Sequence, residues 1–88
     1  MERYLIEAHG EVQGVGFRAF CQNMAKNLNI MGYAKNMPEG YVESAVVGRI
    51  EDIESYCEEL KNSSPGHLER IVVSDLDTDT EFKGFDIL

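Results

Sequence analysis

The chain has 88 residues, of which 43% are hydrophobic, and a formal net charge of -8 at pH 7. A chain of this length has room for one domain with a two-layer core. The negative charge repels polyanions, which argues against nucleic acid or an anionic membrane surface as a partner. The first ten residues contain no signal-peptide core, and no apolar run approaches the roughly 20 residues of a membrane span. We therefore expect one cytoplasmic domain over residues 1–88.

The chain begins with a predicted strand and a predicted amphipathic helix. Residues 3–9 alternate, with Tyr4, Ile6 and Ala8 on one side, as a half-buried strand does. The apolar residues that follow recur at the spacing of one helical face: Phe17, Phe20, Cys21, Met24, Ala25 and Leu28.

Residues 10–18, here called the cradle segment, join this strand to this helix. They contain Gly10, Gly14 and Gly16 and end on Arg18. Glycines allow positive φ and a close approach of main-chain N–H groups to a ligand, and a helix N-terminus adds unpaired donors with partial positive charge. An arginine supplies a permanently charged fork for phosphate or carboxylate oxygens. The segment is therefore predicted to bind an anion.

The rest of the chain predicts a hairpin, a second helix and further strands. Residues 32–37 and 41–47 are strand candidates joined by Pro38-Glu39-Gly40. A helix with Ile53, Cys57 and Leu60 on its apolar face follows Gly48 and is broken at residues 63–66. Residues 71–73 form a β-branched run, and residues 82–88 return as a short final strand. The β-α-β-β-α-β order favours an α+β, ferredoxin-like sandwich, in which two helices cover one face of an antiparallel sheet.

The two cysteines, Cys21 and Cys57, are too few and too far apart for a metal site or a redox motif. We expect both to be buried thiols. A disulfide remains an alternative if the two helices that carry them lie side by side.

Asn36 is unusual because asparagine is unfavourable within a strand. Its amide either has a functional role or caps the nearby turn by hydrogen bonding to main-chain groups. The residues alone leave both alternatives open.

Two motifs together resemble those of the acylphosphatases, in the same order and spacing. The resemblance extends over nearly the whole chain, as far as the Phe85-Asp86-Ile87 ending. The first motif comprises Gly10, Val12, Gly14, Val15, Gly16, Phe17 and Arg18, and the second comprises Gly32, Tyr33, Ala34, Lys35, Asn36, Gly40, Val42 and Gly48.

The resemblance implies a monomeric enzyme that hydrolyses acyl phosphates, the mixed anhydrides of a carboxylic acid and phosphate, without metal or cofactor. It implies that the main-chain N–H groups of Val15, Gly16, Phe17 and Arg18 surround the phosphoryl group. It also implies that the Arg18 side chain binds the phosphoryl oxygens and that Asn36 holds the attacking water. The physiological acyl phosphate is not indicated.

An alternative from another class is a non-enzymatic module that senses phosphate, which would need Arg18 but no positioned water.

The motif at residues 14–19 also fits a dinucleotide-binding pattern, but the hairpin that follows is incompatible with the parallel sheet which that pattern requires. The acidic residues at 75, 77 and 79 imitate part of a calcium loop, although Thr80 stands at its glycine position. His9 and His67 could carry protons but match no catalytic position of the family, and we expect structural or surface roles.

Overall fold

A computed structural model describes residues 1–88. The elements in chain order are β1 (Glu2–Glu11), α1 (Phe17–Asn27), β2 (Met31–Asn36), β3 (Val42–Gly48), α2 (Ile50–Ser63), β4 (His67–Asp75) and β5 (Phe85–Ile87). The first six elements confirm the predicted β-α-β-β-α-β order, and β5 falls within the predicted short final strand. The β4 strand extends well beyond the β-branched run, whereas β5 contains only three residues of the expected final strand.

The five strands form one sheet in the order β4-β1-β3-β2-β5. The first four pair antiparallel, as the ferredoxin-like prediction requires, but β5 pairs parallel with β2, so the sheet is mixed. Because β1 and β2 are each antiparallel to β3, the strands β1, β2 and β5 all run in the same direction. Their carboxyl ends therefore lie at the same edge of the sheet.

The core lies between the sheet and the two helices. The α1 helix packs against β2 and β5, α2 packs against β3 and β4, and the helices contact each other. Ile6 and Ala8 of β1 are buried there, as the alternation predicted, while Tyr4 is half-buried. Neither helix has the length and apolar character that crossing a membrane requires.

The two cysteines differ in their surroundings, and both are free thiols. Cys21 is buried in the core, and burial raises the pKa of its thiol to about 11. Cys57 is only half-buried, so the prediction of a buried thiol is wrong at this position. The reason is the orientation of α2 about its own axis, which places Tyr56 rather than Cys57 in the core beside Ile53 and Leu60.

Candidate active site

The glycines of the cradle segment turn the chain from β1 into α1. Gly14 and Gly16 have φ of 76° and 85°, a region that residues with a side chain rarely adopt. Gly16 is the N-cap of α1 and contributes no side-chain hydrogen bond to the helix end. Since a Cβ at Gly14 or Gly16 would meet nothing within 4 Å, these positions require glycine for their conformation rather than for lack of space.

No side chain of α1 compensates the partial positive charge at the N-terminus of this helix. The main-chain N–H of Phe20 donates to the Gly16 carbonyl oxygen at 3.1 Å, and the N–H groups before it have no partner within the helix. No acidic residue lies in the first turn of α1, whereas Glu51 and Asp52 lie in the first turn of α2. Carboxylates stabilise a helix N-terminus, so α1 is the helix end that can accept an anion from outside the chain.

Asn36 lies at the end of β2, next to the cradle segment. It pairs with Val42 of β3 and shares a face of the sheet with the buried Ala34, so it projects toward the helices. Its side-chain amide makes no hydrogen bond within the chain. The turn-capping alternative is therefore not what the structure shows.

A surface cavity of about 160 Å³ brings these elements together. It lies where the carboxyl ends of β1, β2 and β5 meet the start of α1. Its eight lining residues are Val12, Gly14, Gly16, Phe17, Arg18, Ala19, Asn36 and Ile87. The structure thus joins Arg18 and Asn36, which are far apart in sequence, along with Gly16 and Phe17. Val15, the remaining predicted binding residue, does not line the cavity, and 40% of it is exposed.

The Arg18 guanidinium is held by Leu88, the residue that follows β5. Its Nη1 donates to the main-chain oxygen of Leu88 at 2.8 Å, and the Leu88 N–H donates to the Ala34 carbonyl oxygen of β2 at 2.9 Å. Ile87, one residue earlier, contributes an apolar wall to the cavity. The sequence analysis missed Ile87 and Leu88, since an apolar chain ending carries no signal of a site until β5 is placed beside β2.

Arg18 is the only charged residue that lines this cavity. Two larger depressions, of about 320 and 550 Å³, lie elsewhere on the surface. The first contains Glu81 beside Arg3, and the second contains Glu54 and Glu58 beside Lys61. These carboxylates oppose an anion, so the smallest of the three cavities is the one whose electrostatics suit a phosphoryl group.

The remaining candidates from the sequence lie outside the cavity. His9 Nε2 lies 2.8 Å from Oε1 of Glu7, and its ring packs on Tyr41 with centroids 4.7 Å apart. His67 is exposed at the start of β4. No group of three or more His, Cys, Asp and Glu side chains is arranged to hold a metal ion, and the acidic residues at 75, 77 and 79 are exposed.

Comparison with known proteins identifies the family. The Acylphosphatase family model matches residues 4–87. An acylphosphatase of Vibrio parahaemolyticus is 36% identical, with 99% of this chain and 94% of that protein covered. The crystal structure of acylphosphatase from Bacillus subtilis superposes with a TM-score of 0.90 at 33% identity, covering 100% of this chain and 99% of that one.

A relative of different length is also similar to this chain. The protein described as probable carbamoyltransferase HypF of Methanocaldococcus jannaschii is 39% identical over 94% of this chain, which spans only 11% of that protein. The full-length similarity to acylphosphatases, in sequence and in structure, shows that this chain belongs to the acylphosphatase family.

Proposed function

We propose that this chain hydrolyses acyl phosphates to a carboxylate and inorganic phosphate at the cavity between the cradle segment, Asn36 and Ile87. The phosphoryl group binds to the Arg18 guanidinium and to the main-chain N–H groups of Gly16, Phe17 and Arg18, which line the cavity. The resemblance to the family adds the N–H of Val15 as a fourth donor. Family membership supports the activity. The uncompensated N-terminus of α1 and the single cation of the cavity support these residue roles.

The reaction needs no general acid from the protein, because the leaving group is a carboxylate. Its conjugate acid has a pKa of roughly 4, so it departs as a stable anion without being protonated. Phosphoryl transfer then depends on positioning and on stabilising negative charge at the equatorial oxygens. Fixed N–H dipoles and one guanidinium supply that stabilisation.

The Asn36 amide positions the attacking water. Its carbonyl oxygen accepts one water proton and so directs a water lone pair at phosphorus, in line with the departing carboxylate oxygen. A neutral amide is too weak a base to remove the proton, and the cavity contains no His, Cys, Lys or carboxylate side chain. The proton therefore passes to a phosphoryl oxygen of the substrate as the new P–O bond forms and the old one breaks.

One observation favours an enzyme over a phosphate sensor: Arg18 and Asn36 line the same small cavity. A sensor needs the cation but gains nothing from an amide that is free of protein partners and points into the anion site. The cavity, of about 160 Å³, opens to the surface. We place the phosphoryl group and the nucleophilic water inside it and the acyl group at its mouth.

The deciding experiment measures phosphate release from benzoyl phosphate, with binding of inorganic phosphate followed separately. The wild-type chain is expected to turn over. Asn36→Ala is expected to fold, to bind phosphate within about threefold of wild type and to lose at least about tenfold in kcat, because water placement alone is lost. A wild type that binds phosphate without hydrolysing benzoyl phosphate would support the sensor instead.

The chain is also proposed to act as a single domain and as a monomer in the cytoplasm, without nucleic acid. None of the residues assigned a role in the reaction belongs to a second copy. The net charge of -8 disfavours nucleic acid, and two free thiols suit a reducing compartment.

A further inference from the structure

The side chain of Gln13 links the cradle segment to the β2–β3 hairpin. Its Nε2 donates to the Met37 carbonyl oxygen at 2.8 Å and to the Tyr41 carbonyl oxygen at 3.0 Å. These are the only side-chain hydrogen bonds between the cradle segment and the hairpin. Gln13 is itself exposed and does not line the cavity, so its role is neither core packing nor direct contact with the anion.

The two acceptors belong to main-chain groups that are hydrogen-bonded at the base of the hairpin turn. The Met37 N–H donates to the Tyr41 carbonyl oxygen at 2.9 Å, and the Met37 carbonyl oxygen accepts from the Gly40 N–H at 2.9 Å. The Tyr41 ring packs against His9 of β1. Gln13 therefore binds to a turn that is closed by its own main-chain hydrogen bonds.

Met37 immediately follows Asn36, so the link reaches the residue next to the amide in the cavity. We propose that Gln13 is a positioning residue, which sets the distance between the phosphoryl group held by the cradle segment and the water held by Asn36. This role rests on the proposed function. The amide is chemically suited to it because an NH2 group has two N–H donors, one for each carbonyl oxygen.

The most informative substitution is Gln13→Glu, which keeps the shape and replaces the two donors by a carboxylate oxygen. That oxygen cannot donate to Met37 or Tyr41 and is repelled by both carbonyl oxygens. We expect kcat for benzoyl phosphate to fall at least about tenfold, since a misplacement on the order of 1 Å costs up to about a hundredfold. Gln13→Ala loses the link without adding a charge near the anion site, and its kcat should also fall. In Gln13→Ala the inhibition constant of inorganic phosphate should change by less than about threefold, because the cradle segment and Arg18 remain.

Gln22 offers a matched control. Its Nε2 donates to the Phe85 carbonyl oxygen at 2.8 Å and links α1 to β5 near the start of β2, at the end of that strand opposite the hairpin turn. Gln22→Glu makes the same chemical change and loses a comparable side-chain to main-chain bond. It should keep kcat within about twofold of wild type. Equal losses of kcat in Gln13→Glu and Gln22→Glu would overturn the positioning role.

A double-mutant cycle tests whether Gln13 acts through Asn36. Adding Gln13→Glu to Asn36→Ala should lower kcat by less than about twofold further, because the water that Gln13 helps to place is already lost. Effects that multiply would overturn the proposal, as would a phosphate inhibition constant that rises in Gln13→Ala as much as kcat falls. If Asn36→Ala keeps full activity, the water role of Asn36 fails and the role of Gln13 fails with it. If Asn36→Ala loses activity while Gln13→Glu does not, only the role of Gln13 is overturned.

Discussion

Removal of the Arg18 guanidinium is expected to abolish most of the turnover. Arg18 is the only charged residue lining the cavity, and only its Nη1 has a hydrogen bond within the chain, to the Leu88 oxygen at 2.8 Å. Nε and Nη2 are thus free to bind phosphoryl oxygens. Removing one preorganised donor from developing negative charge costs about 2.7–4 kcal/mol, or about a hundredfold to a thousandfold in kcat. Arg18→Ala should therefore lose at least about a hundredfold.

Arg18→Lys tests whether the positive charge is sufficient without the planar geometry of the guanidinium. The ammonium keeps the positive charge, but it is a point donor on a flexible stem and lacks the planar fork. It cannot hold the Leu88 oxygen and two phosphoryl oxygens in fixed directions at once. We expect Arg18→Lys to recover little of the activity that Arg18→Ala loses.

Arg49→Ala is the matched control for charge. The Arg49 side chain is 72% exposed and pairs only with Glu51, at 3.4 Å, far from the cavity. Each alanine substitution removes one positive charge and so takes the formal net charge from -8 to -9. The assay is initial-rate hydrolysis of benzoyl phosphate at fixed ionic strength. If Arg18→Ala stays within about threefold of Arg49→Ala, the guanidinium has no part in the reaction.

Three further predictions concern the pH dependence and the fold. Because no His, Cys, Lys or carboxylate lines the cavity, kcat for benzoyl phosphate should be flat between about pH 7 and pH 9, and an inflection of unit slope there would reveal an enzyme base. Burial raises the pKa of Cys21 from 9.0 to about 11, so the folded state retains a proton that the unfolded state loses in this window. The stability that the protonated thiol contributes is fully present below pH 9. It is lost as the pH rises to about 11, at up to about 1.4 kcal/mol of unfolding free energy per pH unit. Denaturation at pH 9, 10 and 11 should therefore show that the free energy of unfolding falls less steeply with pH in Cys21→Ala than in wild type. A Cβ at Gly32 would collide with the Ala45 carbonyl oxygen, whereas Gly84 has no positive φ and nothing within 4 Å of an added Cβ. Urea denaturation should show Gly32→Ala losing at least about 3 kcal/mol and Gly84→Ala changing by less than about 1 kcal/mol, and similar stabilities for the two would contradict the clash.

Local features of the sequence were sufficient to predict the elements and part of the site. Glycine placement located the turn between β1 and α1, and the proline and glycine of residues 38–40 located the hairpin. The β-α-β-β-α-β order then constrains the sheet so that β1 and β2 run in the same direction. That geometry is why Arg18, after β1, and Asn36, at the end of β2, meet at one edge.

Features that depend on distant contacts could not be predicted in this way. The Arg18 bond to Leu88 spans 70 residues, and the Gln13 bonds reach across 24 and 28 residues to main-chain oxygens, which have no sequence signature. The apolar spacing of α2 was compatible with either Tyr56 or Cys57 beside Ile53 and Leu60. Packing against the sheet decides between them in favour of Tyr56.

The most direct test of the proposed site is a crystal structure of the chain with bound inorganic phosphate. The ion should occupy the cavity of about 160 Å³. Main-chain N–H groups of residues 15–18 and the Arg18 guanidinium should donate to it over about 2.7–3.1 Å. The Asn36 amide should hold a water on the side of the phosphorus away from the cavity mouth. Phosphate bound elsewhere, or bound here with Arg18 and Asn36 directed away from it, would contradict the site.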